Sequence, residues 1–305
     1  TMSFEPLTEE RIETDSTYDA GTTTQLMWGA RSDVGCVRPH NEDSYLVQSP
    51  LFCVCDGMGG HAAGEVASSI AVETIAKTAP QSADAARLAA AVEAANAAVI
   101  EAALNGLGKP GMGCTATCAY IENDTLAIAH VGDSRAYLLH EGTLIRVTRD
   151  HSYVEELVDA GEITADEARV HPNRSVITRA LGSDPAMYAD HFTLHIEEGD
   201  RLVLCSDGLS SMIPDSDIEN IATQSSTAQI CVDNLVDAAL AAGGHDNVTV
   251  VVVDLVDDGV MREAQRVRRR NVTIAAILAL VFVLAAGIWA YTGVTGSYYL
   301  GTYQG

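Results

Sequence analysis

Three aspartates in this 305-residue chain each stand at one end of a short, strongly apolar run, and that placement narrows the folds open to it. Asp56 follows Leu51–Cys55, Asp207 follows residues 202–205 across one serine, and Asp246 precedes residues 248–253. Apolar runs of this length, bounded by turn residues, read as strands buried on both faces. A carboxylate just past such a strand is held rigidly at a sheet edge, where water is scarce. Several of them converging from distant strands repel one another unless a cation lies between them. A fourth acidic motif, Arg38-Pro39-His40-Asn41-Glu42-Asp43, adds two more carboxylates. The donors are all oxygen and no Cys–His zinc spacing occurs, which points to a hard ion, Mg²⁺ or Mn²⁺.

Charge is unevenly spread. Residues 21–260 carry 35 acidic and 12 basic side chains, whereas residues 261–305 carry one acid and five arginines. So acidic a region repels phosphate backbones and argues against nucleic acid as substrate or partner. Seven cysteines, an odd number with no CxxC, fall mostly inside apolar runs and read as small buried thiols in a reducing compartment.

Residues 1–24 are rich in Thr, Glu and Asp without apolar period and read as a flexible acidic tail. Beyond Leu26, alanine-rich stretches at 64–79 and 84–104 predict two helices broken at Pro80. Strands are predicted at 113–121, 125–131, 135–139, 201–206 and 248–255, with a hairpin turn at 122–124 and a helix at 227–242. Strands in runs and helices in pairs suggest an α+β fold, with helices packed outside antiparallel sheets.

At Arg262 the character changes. Five arginines between 262 and 270 precede a charge-free run, 272–291, ending near Trp289 and Tyr291. Twenty helical residues span about 30 Å, the thickness of a bilayer core. With no signal-peptide pattern at the N-terminus, the positive-inside rule sets residues 1–270 in the cytoplasm and 292–305 outside. The expected organisation is a tail at 1–24, a catalytic domain at 25–257, a basic linker at 258–271, one transmembrane helix at 272–291 and a short outer tail.

The ordered series Arg38…Asn41-Glu42-Asp43, Asp56-Gly57-Met58-Gly59-Gly60-His61, Gly113-Cys114-Thr115-Ala116-Thr117, Val131-Gly132-Asp133-Ser134-Arg135, Asp150-His151-Ser152, Ser206-Asp207-Gly208 and Asp246-Asn247 resembles the metal-dependent (PPM, type 2C) serine/threonine phosphatases over roughly residues 25–256. Seven short motifs in order are specific where any one is weak. The resemblance, closest in form to the bacterial membrane-attached branch, implies two antiparallel sheets packed face to face and flanked by helix pairs. It implies a two-metal centre of Mn²⁺ or Mg²⁺ in which Asp56 bridges the ions. Asp207 and Asp246 then hold the first ion and the Gly57 carbonyl the second, while Glu42 and Asp43 act through bound water. Asp133 matches a residue that helps hold a weaker third ion, sharing Asp207. Arg38 matches the phosphate-binding arginine, where a guanidinium grips two oxygens at once. The catalytic set is thus Arg38, Asp56, Asp207 and Asp246, acting on phosphoserine and phosphothreonine of proteins, among them a transmembrane Ser/Thr kinase.

Some residues depart from that pattern or stay open. Several eukaryotic members carry a proton-donating histidine where this chain has Met58, so His40, His61 or, preferably, water in the metal centre takes that role. Residues 152–190 match a variable flap beside the active site. Within it Arg174 and Arg179 face a choice between an acidic substrate flank and ordinary surface pairing, the favoured reading. The competing functions are a phosphatase confined to a partner-switching phosphoserine protein and a catalytically inactive, membrane-tethered phosphoprotein-binding regulator.

Overall fold

Alternating apolar runs and turns divide the described residues, 16–23, 25–59 and 63–256 of a computed structural model, into strands and helices. First come β1 (Ser16–Thr22), β2 (Leu26–Asp33), β3 (Ser44–Gln48), β4 (Leu51–Cys55) and the two-residue β5 (Gly57–Met58). Helices α1 (Ala63–Thr78) and α2 (Ala85–Leu104) precede β6 (Gly113–Cys114), β7 (Ala116–Glu122), β8 (Thr125–Val131), β9 (Arg135–His140) and β10 (Thr143–Arg146). Two short helices, α3 (Tyr153–Asp159) and α4 (Ala165–Val170), lead to β11 (Asp190–His195) and β12 (Arg201–Cys205). The chain then forms α5 (Asp207–Ser210), α6 (Asp215–Gln224), α7 (Ala228–Ala241) and β13 (Val248–Leu255).

Two antiparallel sheets result, one ordered β1-β2-β13-β12-β9-β10 and the other β11-β8-β7-β4-β3, with β5 and β6 paired apart. Strand alternation explains the layering. On β4, Phe52 and Val54 join Leu202, Leu204, Val251 and Val253 in a core between the sheets. The intervening Cys53 and Cys55 point the other way, into a second core with Leu88, Val92, Ala95 and Val99 of α2. Val203, Cys205, Val250 and Val252 likewise pack against Leu235 and Val236 of α7. Each central strand is therefore buried on both faces, as its unbroken apolar run requires, and the arrangement is helix, sheet, sheet, helix.

Helix limits follow local chemistry. Asp84 caps α2 by accepting from Arg87 N–H at 3.0 Å. The β7–β8 hairpin turns at Asn123 and Asp124, with Asn123 at a φ of 54° that asparagine tolerates.

Residues 1–24 do not form a continuous flexible tail, because Ser16–Thr22 pairs along its whole length with β2. An edge strand of this kind is held by main-chain bonds, by Ser16 Oγ donating to Asp33 (2.5 Å) and by the Arg31 guanidinium 5.3 Å from the Tyr18 ring centre. Its side chains face mostly outward, so no apolar period marks it. The linker, the transmembrane helix and the outer tail expected at 258–305 lie outside the described residues. No helix among the described residues is long and apolar enough to cross a membrane.

Candidate metal centre

Register brings the acidic motifs to one end of both sheets. There β4 and β12 finish, β9 and β13 begin, and the β2–β3 and β8–β9 connections cross from sheet to sheet. Asp56 leaves β4, Asp207 opens α5 beyond β12, and Asp246 precedes β13. Asp43 immediately precedes β3, and Asp133 sits in the β8–β9 turn.

Asn247 ties the loop that carries Arg38 and Glu42. Its Oδ1 accepts from Glu42 N–H at 2.8 Å, and its Nδ2 donates to the Val34 and His40 carbonyls, both at 2.9 Å. Thr249 donates to Asp43 Oδ2 at 2.6 Å and lies 2.7 Å from Ser32 Oγ. Thr115 fixes the backbone at Asp56. Its Oγ1 accepts from Asp56 N–H at 2.9 Å and lies 2.7 Å from Ser134 Oγ, joining the end of β4 to the Asp133 turn. Gly57 leaves room for nothing more than backbone, since a Cβ there would sit 2.3 Å from the Glu42 carbonyl oxygen and 2.4 Å from that of Gly64.

The Asp133 turn is braced from behind. Gly132, at a φ of 109°, donates its N–H to His151 Nδ1 at 3.0 Å and accepts from His151 N–H at 2.7 Å. With Nδ1 accepting, the ring proton sits on Nε2, 3.1 Å from Asp190 Oδ2. Burial pushes the His151 imidazole below its usual range, consistent with that neutral tautomer. Arg135 grips Asp150 through Nε (3.0 Å to both oxygens) and Nη2 (2.7 Å).

Electrostatics then decide what the cluster needs. Burial, followed by the charges of Asp43, Asp207, Asp133 and Asp246, lifts the Asp56 carboxyl well above the ordinary carboxylate range. Burial, with Asp207 and Asp246 adding charge, raises Asp43 to about 7, and burial with Asp246 raises Asp207 to about 6. Asp43, Asp56, Asp207 and Asp246 keep partial access to water along the cleft, whereas Asp133 is only 7% exposed. Arg38, half-exposed at the rim, donates Nη2 to Asp246 Oδ2 at 2.7 Å.

Five carboxylates against so little positive charge is a donor set that suits hard divalent cations. The Asp133 Oδ1 atom supports the fit directly, being buried without a hydrogen-bond partner among the described residues. No three His, Cys, Asp or Glu side chains among the described residues form a closed cage around one point. That absence does not weigh against Mg²⁺ or Mn²⁺, because octahedral ions of this class keep several waters and need few protein oxygens each.

Sequence reasoning assembled Arg38, Asp43, Asp56, Gly57, Asp133, Asp207, Asp246 and Glu42, and these stand together around the same loops. It gave no bracing role to Asn247 or Thr115, although each lies inside a quoted motif. His40 has an exposed side chain and joins the site through its carbonyl. His61 lies outside the described residues.

From the cluster a cleft of about 470 Å³ opens toward α3 and α4, lined by Asp133, Asp207 and Asp246 on one side and by flap residues on the other. Against this geometry, the model of the family described as protein phosphatase 2C matches residues 29–248. The chain belongs to the protein phosphatase 2C family. The serine/threonine protein phosphatase PstP of Mycobacterium tuberculosis is 43% identical over 244 residues, covering 78% of this chain and 46% of that protein. This chain thus spans about half the length of that curated relative. Serine/threonine phosphatase stp of Listeria monocytogenes is 37% identical over 236 residues, 73% of this chain and 94% of the relative. Among solved structures, M. tuberculosis PstP/Ppp superposes with a TM-score of 0.72 at 42% identity, covering 76% of this chain and 99% of the other. A structure of the PstP catalytic domain in complex with two manganese ions gives 0.71 at 40% identity, again over 76% and 99%. The family fold of facing antiparallel sheets is the one observed here.

Proposed function

We propose that this chain hydrolyses phosphoserine and phosphothreonine on proteins, with Mn²⁺ or Mg²⁺ as cofactor. The observation that carries the reading is the convergence of five aspartates, mutually repelling and short of counter-charge, at the shared end of two sheets. The manganese complex of the related catalytic domain supports the same cofactor. Asp56, Asp207, Asp246 and the Gly57 carbonyl are the proposed ligands of two ions, with Glu42 and Asp43 bound through water and Asp133 serving a third. Bound there, the ions would neutralise phosphoryl charge and activate water as the nucleophile. Arg38 has N–H donors left beyond the one given to Asp246, and these orient the phosphoryl oxygens. Thr249 holds the Asp43 carboxylate and Thr115 holds the Asp56 backbone before substrate arrives, so little reorganisation remains for the reaction.

The charge-free run at 272–291 and its preceding arginines support a single-pass membrane tether with the aspartates on the cytoplasmic side, where a transmembrane Ser/Thr kinase is a natural substrate. Unchanged phosphorylation of such kinases after gene deletion would remove that pairing. The activity itself is tested on a phosphothreonine peptide with Mn²⁺, with EDTA, and with Asp207→Asn. Turnover that requires Mn²⁺ and collapses in the variant supports the assignment. Metal binding without turnover would instead favour a phosphoprotein-binding regulator.

A further inference from the structure

The flap side of the cleft carries two arginines whose side chains have no hydrogen-bond or ion-pair partner among the described residues. Ala165, Ala168 and Arg169 fall on one face of α4 at i, i+3 and i+4, and all three line the cleft with Arg174. The two alanines leave space while the two arginines supply charge.

Every other arginine at this cleft is already engaged. Arg135 is bound to Asp150, and Arg146 to Glu155. Arg179, just beyond it, pairs with Asp190 at 2.5 Å and stacks 4.2 Å from the Tyr188 ring centre, the ordinary surface pairing expected of it. Neither Arg169 nor Arg174 has a side-chain hydrogen bond or ion pair among the described residues, although Asp166 lines the same cleft. In a region carrying 35 acids to 12 bases, two cations left unpaired beside an acidic centre are unusual placements.

Resting on the hydrolase reading above, we propose that Arg169 and Arg174 form an anion subsite. It takes a second negative group on the substrate, beside the phosphate being hydrolysed. That group is a carboxylate or a further phosphate. A cleft of about 470 Å³ is on the order of 10 Å across, and extended peptide advances about 3.3 Å per residue. The second anion therefore lies within about three residues of the phosphorylated one. The subsite gives the enzyme a preference for acidic or multiply phosphorylated segments, which its own net charge would otherwise disfavour.

The test compares three phosphothreonine peptides: neutral flanks, glutamates within three residues, and a second phosphothreonine within three residues. The kcat/KM ratio of each anionic peptide to the neutral one is measured for wild type and for Arg169→Gln/Arg174→Gln, so that any general loss of activity cancels. Two partly exposed ion pairs predict a wild-type ratio of about five to ten that falls toward one in the double variant. Preference for only one of the two peptides identifies which anion the subsite takes. A ratio near one in wild type, or one that survives in the double variant, overturns the proposal. A non-hydrolysable phosphonate version of the glutamate peptide, followed by fluorescence anisotropy, separates this from failure of the hydrolase reading. Without turnover, the same five- to tenfold loss of binding in the double variant still supports the subsite, and equal binding overturns it.

Discussion

Replacing Asp207 by asparagine removes a charge that the metal-free fold holds against its preference, so Asp207→Asn is expected to stabilise the protein when metal is withheld. Burial first, and then the Asp246 charge, raise the Asp207 carboxyl from 3.8 to about 6, against opposing help from Asp56, Arg38 and Arg135. For a carboxylate raised on folding, the unfolded chain loses its proton first. The cost of ionisation in the fold is absent below pH 3.8, grows through the interval and is complete above pH 6. At about 1.4 kcal/mol per pKa unit, the full cost is about 3 kcal/mol. Asp207 is only half-buried and faces the cleft, so water screens part of it, and the asparagine amide must find partners of its own. A gain of about 1–2 kcal/mol at pH 8 is therefore expected, shrinking to roughly half that at pH 5. Urea denaturation in EDTA at both pH values measures it. Saturating Mn²⁺ should then raise the wild type far more than the variant, reversing their order. A variant less stable than wild type in EDTA at pH 8 would refute the reasoning, because the cluster would then not be under electrostatic load.

Three further outcomes are expected. Gly57→Ala, whose methyl has no room beside the Glu42 and Gly64 carbonyls, should raise the Mn²⁺ concentration for half-maximal activity at least tenfold, read by metal titration. Asn247→Ala loses three hydrogen bonds to the 34–42 loop and should cost about 2–3 kcal/mol in a urea melt, with KM for phosphopeptide rising as Arg38 loses its anchor. Burial, with His151 nearby, lowers the His130 imidazole to about 4, so the stability its neutral form contributes is complete above pH 6.5 and drains as pH falls toward 4. The loss is about 2 kcal/mol by pH 5, seen as a pH-dependent difference between wild type and His130→Gln, and a flat difference would count against it.

What the sequence made legible was whatever short-range pattern controls. The helices expected at 64–79 and 84–104 occur at Ala63–Thr78 and Ala85–Leu104, because alanine composition and the Pro80 break act locally. Asp56, Asp207 and Asp246 were readable because each closes a run whose burial on both faces leaves its neighbours little freedom. The edge strand Ser16–Thr22 was not, since main-chain pairing leaves no mark on side-chain pattern. Nor was the role of Asn247, whose partner Glu42 lies 205 residues away. Arg174 and Arg179 look alike in sequence, and the positions of Asp190 and Tyr188 separate them.

The candidate ligands are shared between the sheets: Asp56 hangs from one, Asp207 and Asp246 from the other, and the layer between them is Phe52, Val54, Leu204 and Val251. Facing sheets lie about 10 Å apart, a spacing set by the bulk of such side chains. The thickness of the oily interior is therefore a catalytic dimension. Trimming Leu204 or swelling Val54 would slide one row of carboxylates against the other, so evolution in this core is constrained by ångströms at the rim as well as by stability.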